Sequence, residues 1–271
     1  DVSLIGGTVQ MRLRTGANPF VNFQVPDTIL SSGTKVLGFT DTQLEAITGF
    51  TDGRYVDGTF ILTDRAGNVT PGEISDNLLY IDQTIPVAGT FDQTNTSYDG
   101  YMNESDTLKA EWSGFSDANA GLEYYQYAIG TAPKTSNILS WTTVDPGLVT
   151  SVKDSLATLI NATTYYLSLI ALDSAWNVSD TITTAGIYAD FVKPISTPIV
   201  EDYYFIENWI DASTISGTTS DADAGLDSVS ISIMRLSDSL YWSGSSWQTD
   251  SLGLDVSSFT TTDWTYTLSP D

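Results

Sequence analysis

Thr163-Thr164-Tyr165-Tyr166-Leu167-Ser168-Leu169-Ile170-Ala171 is the stretch that decides the fold of this chain. Its residues Tyr165, Leu167 and Leu169 stand at every second position. Because successive side chains of a β-strand point to opposite faces of a sheet, this period of two predicts a half-buried strand. The same alternation occurs at residues 108–112 and 229–233, and clusters of Gly, Asp, Asn and Ser separate such runs. The pattern predicts an all-β chain without a long helix.

The strand leads into a phrase that the chain contains twice. The copies, each with the residues that follow it, are Asp64-Arg65-Ala66-Gly67-Asn68-Val69 with Tyr80-Ile81-Asp82 and Pro86, and Asp173-Ser174-Ala175-Trp176-Asn177-Val178 with Tyr188-Ala189-Asp190 and Pro194. We call this phrase the late turn. A second phrase, the early turn, occurs at residues 116–123 and 220–227 as Ser-Asp-Ala-x-Ala-Gly-Leu followed by an acid. Two phrases repeated at about the length of one β-sandwich predict a tandem array of similar domains.

Prolines mark the predicted ends of these domains. Pro86 and Pro194 each follow a Tyr-x-Asp strand, and proline ends a ladder of strand hydrogen bonds because it has no N–H to donate. We therefore predict modules at residues 1–85, 86–194 and 195–271, called the first, second and third modules below. The second carries both turn phrases, the first only the late turn and the third only the early turn. We accordingly expect the first module to be incomplete at its N-terminus and the third at its C-terminus.

The composition argues against several functions. The chain has 34 acidic and 10 basic residues, a formal net charge of −24, and such a field repels nucleic acids and anionic membranes. It has no cysteine, hence no disulfide or thiolate metal site, and no histidine, hence no Ser-His-Asp triad. Its apolar runs are too short for membrane insertion of this segment. No motif places two carboxylates across a cleft, so we predict that the chain is not an enzyme.

Residues 159–171 resemble the signature of fibronectin type III domains, in which a leucine precedes a turn and a corner tyrosine opens an alternating strand. The stretch from Trp112 to Val178, in the fibronectin III-like second module, also resembles modules of large bacterial secreted and surface proteins. The first and third modules resemble the Ig-like repeats of such proteins. The resemblance implies tandem Ig-like or fibronectin III-like β-sandwiches in an elongated array. It implies that the Tyr165 ring lies in the core with its hydroxyl bonded to backbone, and that Trp112 is the central core aromatic. It also implies an extracellular or cell-surface location.

From this resemblance we predict a non-enzymatic structural or adhesive segment, a stalk or an adhesin, of a large bacterial cell-surface or secreted protein. Its expected partners are neighbouring repeats, other copies of itself, or a surface glycan or protein. Two alternatives stay open. In one, the chain holds accessory modules of a secreted polysaccharide-degrading enzyme, and exposed aromatics stack on sugar, namely Tyr203, Tyr204, Tyr241, Trp242 and Trp247. In the other, it is a subunit of a self-assembling filament or surface layer that is completed by a donated strand.

Calcium is the one cofactor that the sequence suggests. The early turns place oxygen-bearing side chains two residues apart, which suits a cation that takes about six to eight oxygen ligands, and calcium at module junctions would stiffen a rod. The candidate ligands are Asp117, Asn119, Glu123, Asp221, Asp223, Asp227, Asp82 and Asp190. The alternative is that Asp and Asn only cap these turns while glycine supplies a positive φ. Asp64 and Asp173 stand just before turns. For them calcium binding is the alternative, and Asx-turns with backbone amides are the preferred prediction.

Glycosylation is the last candidate chemistry. Asp followed by Ser or Thr and then an apolar residue recurs along the chain, and it resembles the O-glycosylation site of Bacteroidota-type exported proteins. The candidate positions are Thr28, Thr107, Ser155, Ser174, Thr181, Ser228, Ser239 and Ser251. The alternative is that Asp-Ser/Thr only ends turns before strands.

Overall fold

The computed structural model describes residues 5–22, 26–31, 34, 36–92, 100–144, 148–155, 159–199 and 214–267. Within these ranges the chain consists of strands and a single five-residue helix, and the predicted all-β, Ig-like sandwich fold is confirmed. Each strand pairing joins strands of the same predicted module. No helix in the described part of the chain is long and apolar enough to cross a membrane.

The first module is a six-stranded sheet covered on one face. Its elements are β1 Thr8–Thr15, β2 Val21–Asn22, β3 Asp27–Thr28, α1 Asp41–Glu45, β4 Arg54–Thr63, β5 Val69–Pro71 and β6 Ser75–Ile81. Thr40 caps α1, because its hydroxyl accepts from the Gln43 N–H while the Gln43 side chain accepts from the Thr40 N–H. Ile47, just beyond this helix, packs with Leu13 and Val56 of the sheet in a small core.

The second module is a sandwich of two sheets. Its strands are β7 Thr90–Phe91, β8 Tyr101–Met102, β9 Thr107–Ser113, β10 Leu122–Gly130, β11 Leu139–Thr143, β12 Ser151–Ser155, β13 Thr163–Asp173, β14 Ile182–Thr183 and β15 Ile187–Ala189. One sheet has the order β12-β9-β7 and the other β11-β10-β13-β15-β8, with β14 paired to β13. Between them lies the main hydrophobic core of the described residues, to which β9, β10 and β13 contribute most.

Strands β9 and β13 have the predicted inner and outer faces, with one exception. Trp112 of β9 is 2% exposed and Leu169 of β13 is 0% exposed, both inside the core. Ser168 was expected on the solvent side but is fully buried. Its hydroxyl accepts from the Lys134 N–H at 3.2 Å and lies 3.2 Å from the Thr183 hydroxyl, so loop and edge strand cover this part of the outer face.

Tyr165 makes the corner contact that the fibronectin III resemblance implies. Its ring is 1% exposed in the core, and its hydroxyl oxygen accepts a hydrogen bond from the backbone N–H of Ile160 at 2.7 Å. The tyrosine therefore ties the start of β13 to the chain segment that precedes it.

Replacing Tyr165 with phenylalanine should lower the free energy of unfolding of the second module by about 1 kcal/mol, because the Ile160 N–H loses its acceptor. Urea denaturation followed by circular dichroism measures this change. Tyr166→Phe is the matched control, since the Tyr166 ring points to the opposite face of the same strand and should tolerate the change. Equal losses in the two variants would contradict the role of the corner hydroxyl.

The third module has shorter strands than its sequence suggests. Its strands are β16 Ile195–Pro198, β17 Thr214–Ser220, β18 Ser230–Ile231, β19 Met234–Arg235, β20 Leu240–Trp242, β21 Trp247–Gln248, β22 Leu254–Asp255, β23 Ser258–Phe259 and β24 Asp263–Thr267. The alternating run at 229–233 forms a strand only at β18, because its partner β22 supplies just two paired residues. Val229, Ile231 and Ile233 still pack against Trp264 and Tyr266 in the core.

Candidate metal centre at the module junction

Asp82 connects the end of the first module to the second module. It is the first residue of the first linker, by which we mean residues 82–86. It follows β6 directly and is 9% exposed. Its Oδ1 accepts from the N–H of Thr84 at 3.0 Å, within the linker, and its Oδ2 accepts from the N–H of Ala120 at 2.8 Å, within the early turn. One carboxylate therefore holds the linker against the domain that follows.

Asp117 closes the early turn of the second module. Its Oδ1 accepts from the N–H groups of Asn119 at 3.0 Å and Gly121 at 2.9 Å, and Gly121 has φ +75°, so the turn-capping role is confirmed. Its Oδ2 is buried and accepts no hydrogen bond from the described residues. A buried carboxylate oxygen without a donor is costly, and a cation is one partner that would satisfy it.

Asp173 closes the late turn at the end of β13 and is 1% exposed. Its Oδ1 accepts from the N–H groups of Ala175 at 2.8 Å and Asn177 at 2.9 Å, and its Oδ2 accepts from the Asn177 side-chain amide at 2.9 Å. The predicted Asx-turn is confirmed. The same amide donates to the backbone carbonyl of Asp82 at 3.1 Å, so the late turn is also fastened to the linker.

Trp176 occupies a strained position in this late turn. Its φ is +72°, a region that favours glycine, and Gly67 with φ +86° stands at the same place in the late turn of the first module. The Trp176 side chain is 71% exposed, and its ring centroid lies 6.0 Å from that of Tyr124. In sequence, this exposed indole therefore lies between Asp173 and Asn177, the two residues whose side chains close the late turn.

The three aspartates form one group of oxygens. One carboxylate oxygen from each of Asp82, Asp117 and Asp173 lies within 4.8 Å of the others. Calcium–oxygen distances of about 2.4 Å place opposite ligands about 4.8 Å apart, so this spacing fits one calcium coordination shell. The ion pairs found among the described residues involve other acids. The group can therefore bind a hard divalent cation through oxygen.

The second junction repeats part of this arrangement. Asp190 Oδ1 accepts from the Val192 N–H at 2.9 Å, and its Oδ2 accepts from the Ala224 N–H at 2.9 Å. Asp221 Oδ1 accepts from the Gly225 N–H at 2.8 Å. Within the described residues no third acidic side chain joins Asp190 and Asp221 in a group like that of the first junction.

The remaining predicted ligands lie near the junctions but outside the three-aspartate group. The Glu123 carboxylate accepts from the Ser174 hydroxyl at 2.8 Å, and Asp227, the last residue of the third module's early turn, is exposed. Asn119 donates to Asp52 at 2.8 Å and Asp223 accepts from Asn161 at 2.7 Å, so both are engaged in contacts between modules. Their roles as ligands remain predictions.

Asp52 adds a further carboxylate to the first junction. Hydrogen bonds from the Thr84 hydroxyl, from the Gln83 N–H and from Asn119 together outweigh desolvation and lower the pKa of Asp52 below its ordinary value. Because the folded pKa is the lower one, the stabilisation from these bonds is complete above the unfolded pKa and is lost as the pH falls through the folded pKa.

Sequence reasoning left Asp173 out of the candidate ligands and did not single out Asp52. For Asp64 and Asp173 alike, an Asx-turn was preferred over calcium binding, because nothing local separates the two residues. The pairing of β10 with β13 places Leu122 opposite Asp173, and this long-range register brings the early and late turns together. The presence of both phrases in one module was the available signal.

The candidate glycosylation sites and the aromatic residues proposed to stack on sugar differ in their exposure to solvent. Thr107 is 6% exposed and its hydroxyl donates to Asp106, so the fold argues against its glycosylation. The exposed candidates are Thr28, Ser155, Ser174, Ser228, Ser239 and Ser251, and Thr181 is half-buried. Trp242 is 7% exposed and packs on Trp247, which corrects its assignment to a sugar-stacking surface. Tyr203 and Tyr204 lie outside the described residues.

Comparisons with known proteins give weak likenesses only. No protein-family model matches the chain, and no curated protein matches it. A crystal structure of the chicken CNTN1 FN1–FN3 domains aligns with a TM-score of 0.31 and 13% identity, over 99% of this chain and 80% of that one. A tetra-tandem repeat in the extending region of a large adhesion protein aligns with a TM-score of 0.27 and 17% identity, over 96% of this chain and 57% of that one. Both are proteins built from tandem repeats or domains, and at these scores neither likeness identifies a function for this chain.

Proposed function

We propose that this chain is a non-enzymatic segment of a bacterial cell-surface or secreted protein, in which three all-β modules form a stalk. Calcium at the first junction locks two of these modules in line. The observation that carries the proposal is the group of Asp82, Asp117 and Asp173, in which one buried Asp117 oxygen accepts no hydrogen bond from any residue that the structure describes.

The bound cation would act on the linker and on both turns of the second module at once. Asp82 belongs to the linker, Asp117 to the early turn and Asp173 to the late turn. Neutralising three neighbouring carboxylates removes their mutual repulsion, and coordination fixes the linker relative to the domain that follows. Antiparallel strands within each sandwich would then bear the load along the stalk.

Thermal unfolding in calcium and in excess chelator tests this function. Binding only to the folded state should raise the stability by about 2.7 kcal/mol at a hundredfold excess of calcium over its dissociation constant. Asp117→Asn should abolish the calcium-dependent shift. In chelator the same variant should melt at or above the parent temperature, because it removes one of three like charges. Asp64→Asn, in the isolated late turn of the first module, should keep the shift.

Terbium luminescence provides a second, local readout of the same site. Trp176 lies between Asp173 and Asn177 in the chain, so a lanthanide that replaces calcium should be excited through this indole. We expect terbium emission that calcium displaces and that Trp176→Phe strongly reduces. A melt that calcium does not change, together with no sensitised emission, would contradict the metal site and leave plain β-sandwich spacers.

A further inference from the structure

The two junctions share a hydrogen bond from the early turn to the linker aspartate, at equivalent positions of the repeat. At the first, the linker carboxylate of Asp82 accepts from the Ala120 N–H at 2.8 Å. At the second, that of Asp190 accepts from the Ala224 N–H at 2.9 Å. In both, the fourth residue of the early turn, Asn119 or Asp223, also contacts a loop of the preceding module. The junction is thus a repeated, head-to-tail interface.

In one contact the hydrogen-bond donor and acceptor are exchanged between the two junctions. At the first, the Asn119 side-chain amide of the turn donates to Oδ2 of Asp52 in the preceding module, at 2.8 Å. At the second, the turn supplies the carboxylate: Asp223 Oδ2 accepts from the Asn161 amide of the preceding module, at 2.7 Å. This contact therefore pairs one carboxylate with one carboxamide at each junction, with the two chemical groups exchanged between the modules.

The linker fixes the orientation of the group that each preceding module presents. Asp52 Oδ1 accepts from the Gln83 N–H at 2.7 Å, and its Oδ2 accepts both from the Thr84 hydroxyl of the linker and from the Asn119 amide of the turn. Asn161 Oδ1 accepts from the Phe191 N–H at 2.7 Å, which leaves its NH₂ group as a donor aimed at the turn. Gln83 and Phe191 each follow the linker aspartate directly, so the two anchors are equivalent.

We propose that these two side-chain pairs select which module can follow which. The Asp52 face requires a hydrogen-bond donor and accepts a module whose early turn carries Asn at its fourth position, as Asn119 does. It rejects a turn with Asp there, because two carboxylates would meet at hydrogen-bonding distance. The Asn161 face donates and takes a turn with Asp, and it takes a turn with Asn as well, so the exclusion acts at the Asp52 face. The first module therefore accepts the second module and rejects the third. The accepted second module can belong to the same chain or to another copy of this chain.

This selection does not require a bound cation, and its test is made in chelator, so that its failure is distinct from failure of the calcium site. The chain has no cysteine, so spin labels on Thr70→Cys and Ser140→Cys report the distance across the first junction without competing thiols. Both positions are exposed, one on β5 and one on β11. The readout is the width of the distance distribution from electron paramagnetic resonance.

We expect the distance distribution across the first junction to broaden in a single variant and to narrow again in a double variant. Asn119→Asp should replace the narrow distribution with a broad one, because it sets two carboxylates against each other. Asp52→Asn combined with Asn119→Asp reproduces the chemistry of the second junction and should restore the narrow peak. Chain unfolding is excluded as a cause by an unchanged circular dichroism spectrum.

The second junction supplies the matched set, with labels on Ser140→Cys and Thr218→Cys. Asn161→Asp should broaden its distribution, and Asn161→Asp with Asp223→Asn should restore it. Asp223→Asn alone should leave it narrow, because the Asn161 NH₂ group can donate to the carbonyl oxygen of the new amide. The proposal would be overturned if Asn119→Asp and Asn161→Asp both kept a narrow distance distribution. It would also be overturned if neither double variant restored a narrow distribution.

Discussion

Replacing Trp112 with alanine should lower the free energy of unfolding of the second module by about 3–5 kcal/mol, the largest effect that we expect. Trp112 is 2% exposed on β9, and its ring centroid lies 5.5 Å from that of Tyr125 on the opposite sheet, in an edge-on arrangement. Truncation would remove buried apolar surface and an aromatic contact, and it would leave a cavity between the sheets. Urea denaturation followed by far-ultraviolet circular dichroism measures the loss.

Trp176→Ala is the control for this prediction. Trp176 belongs to the same module but is 71% exposed and has φ +72°. Its truncation should change stability little, and Trp176→Gly should be neutral or stabilising, because glycine adopts this φ without strain and occupies the equivalent position at Gly67. Similar losses for Trp112→Ala and Trp176→Ala would contradict the placement of the core.

Replacing Asp173 with alanine should cost about 3 kcal/mol of unfolding free energy in the second module. The Asp173 side chain is almost fully buried, and its removal leaves the Ala175 and Asn177 N–H groups and the Asn177 amide without their acceptor. Each donor that is left unsatisfied away from water costs about 1–3 kcal/mol, and relief of repulsion from Asp82 and Asp117 offsets part of the sum.

Asp64→Ala is the matched control for Asp173→Ala. Asp64 accepts the same set of hydrogen bonds, from the N–H groups of Ala66 and Asn68 at 2.8 Å and from the Asn68 amide at 2.7 Å. These donors are exposed and can bind water instead, so we expect the loss to stay below about 1 kcal/mol. Chemical denaturation of both variants in chelator compares them directly. Equal losses would show that burial of the late turn is not what makes Asp173 important.

The fold was predictable because its main signals are local. Alternation along β9 and β13 predicted which side chains are buried, and the resemblance around Tyr165 predicted a corner hydrogen bond that the structure contains. Ser168 and the run at 229–233 were predicted less well. Whether an outward side chain is covered, or an alternating run finds a partner of equal length, depends on distant segments.

The candidate site was only half predictable for the same reason. Asp82 and Asp117 stood out because their phrases recur, and each was proposed as a calcium ligand. Asp173 joins them through the register of β10 with β13, which no local pattern contains. The distinction between Asp173 and Asp64, whose turns have the same hydrogen bonds, arises only from what packs around each turn.

By itself, the sequence determined the strand periodicity, the turn chemistry of the repeated phrases, the repetition of the modules and the strongly acidic charge. These properties follow from side-chain period, backbone preference and composition, each of which acts over a few residues or over the chain as a whole. Only the tertiary structure decided that Asp82, Asp117 and Asp173 meet, and that Asp52 and Asn161 present opposite hydrogen-bonding groups to the modules that follow. The physical reason is that hydrogen bonds and cation coordination act over a few ångströms, while the residues that make them are brought together from distant parts of the chain by the packing of strands.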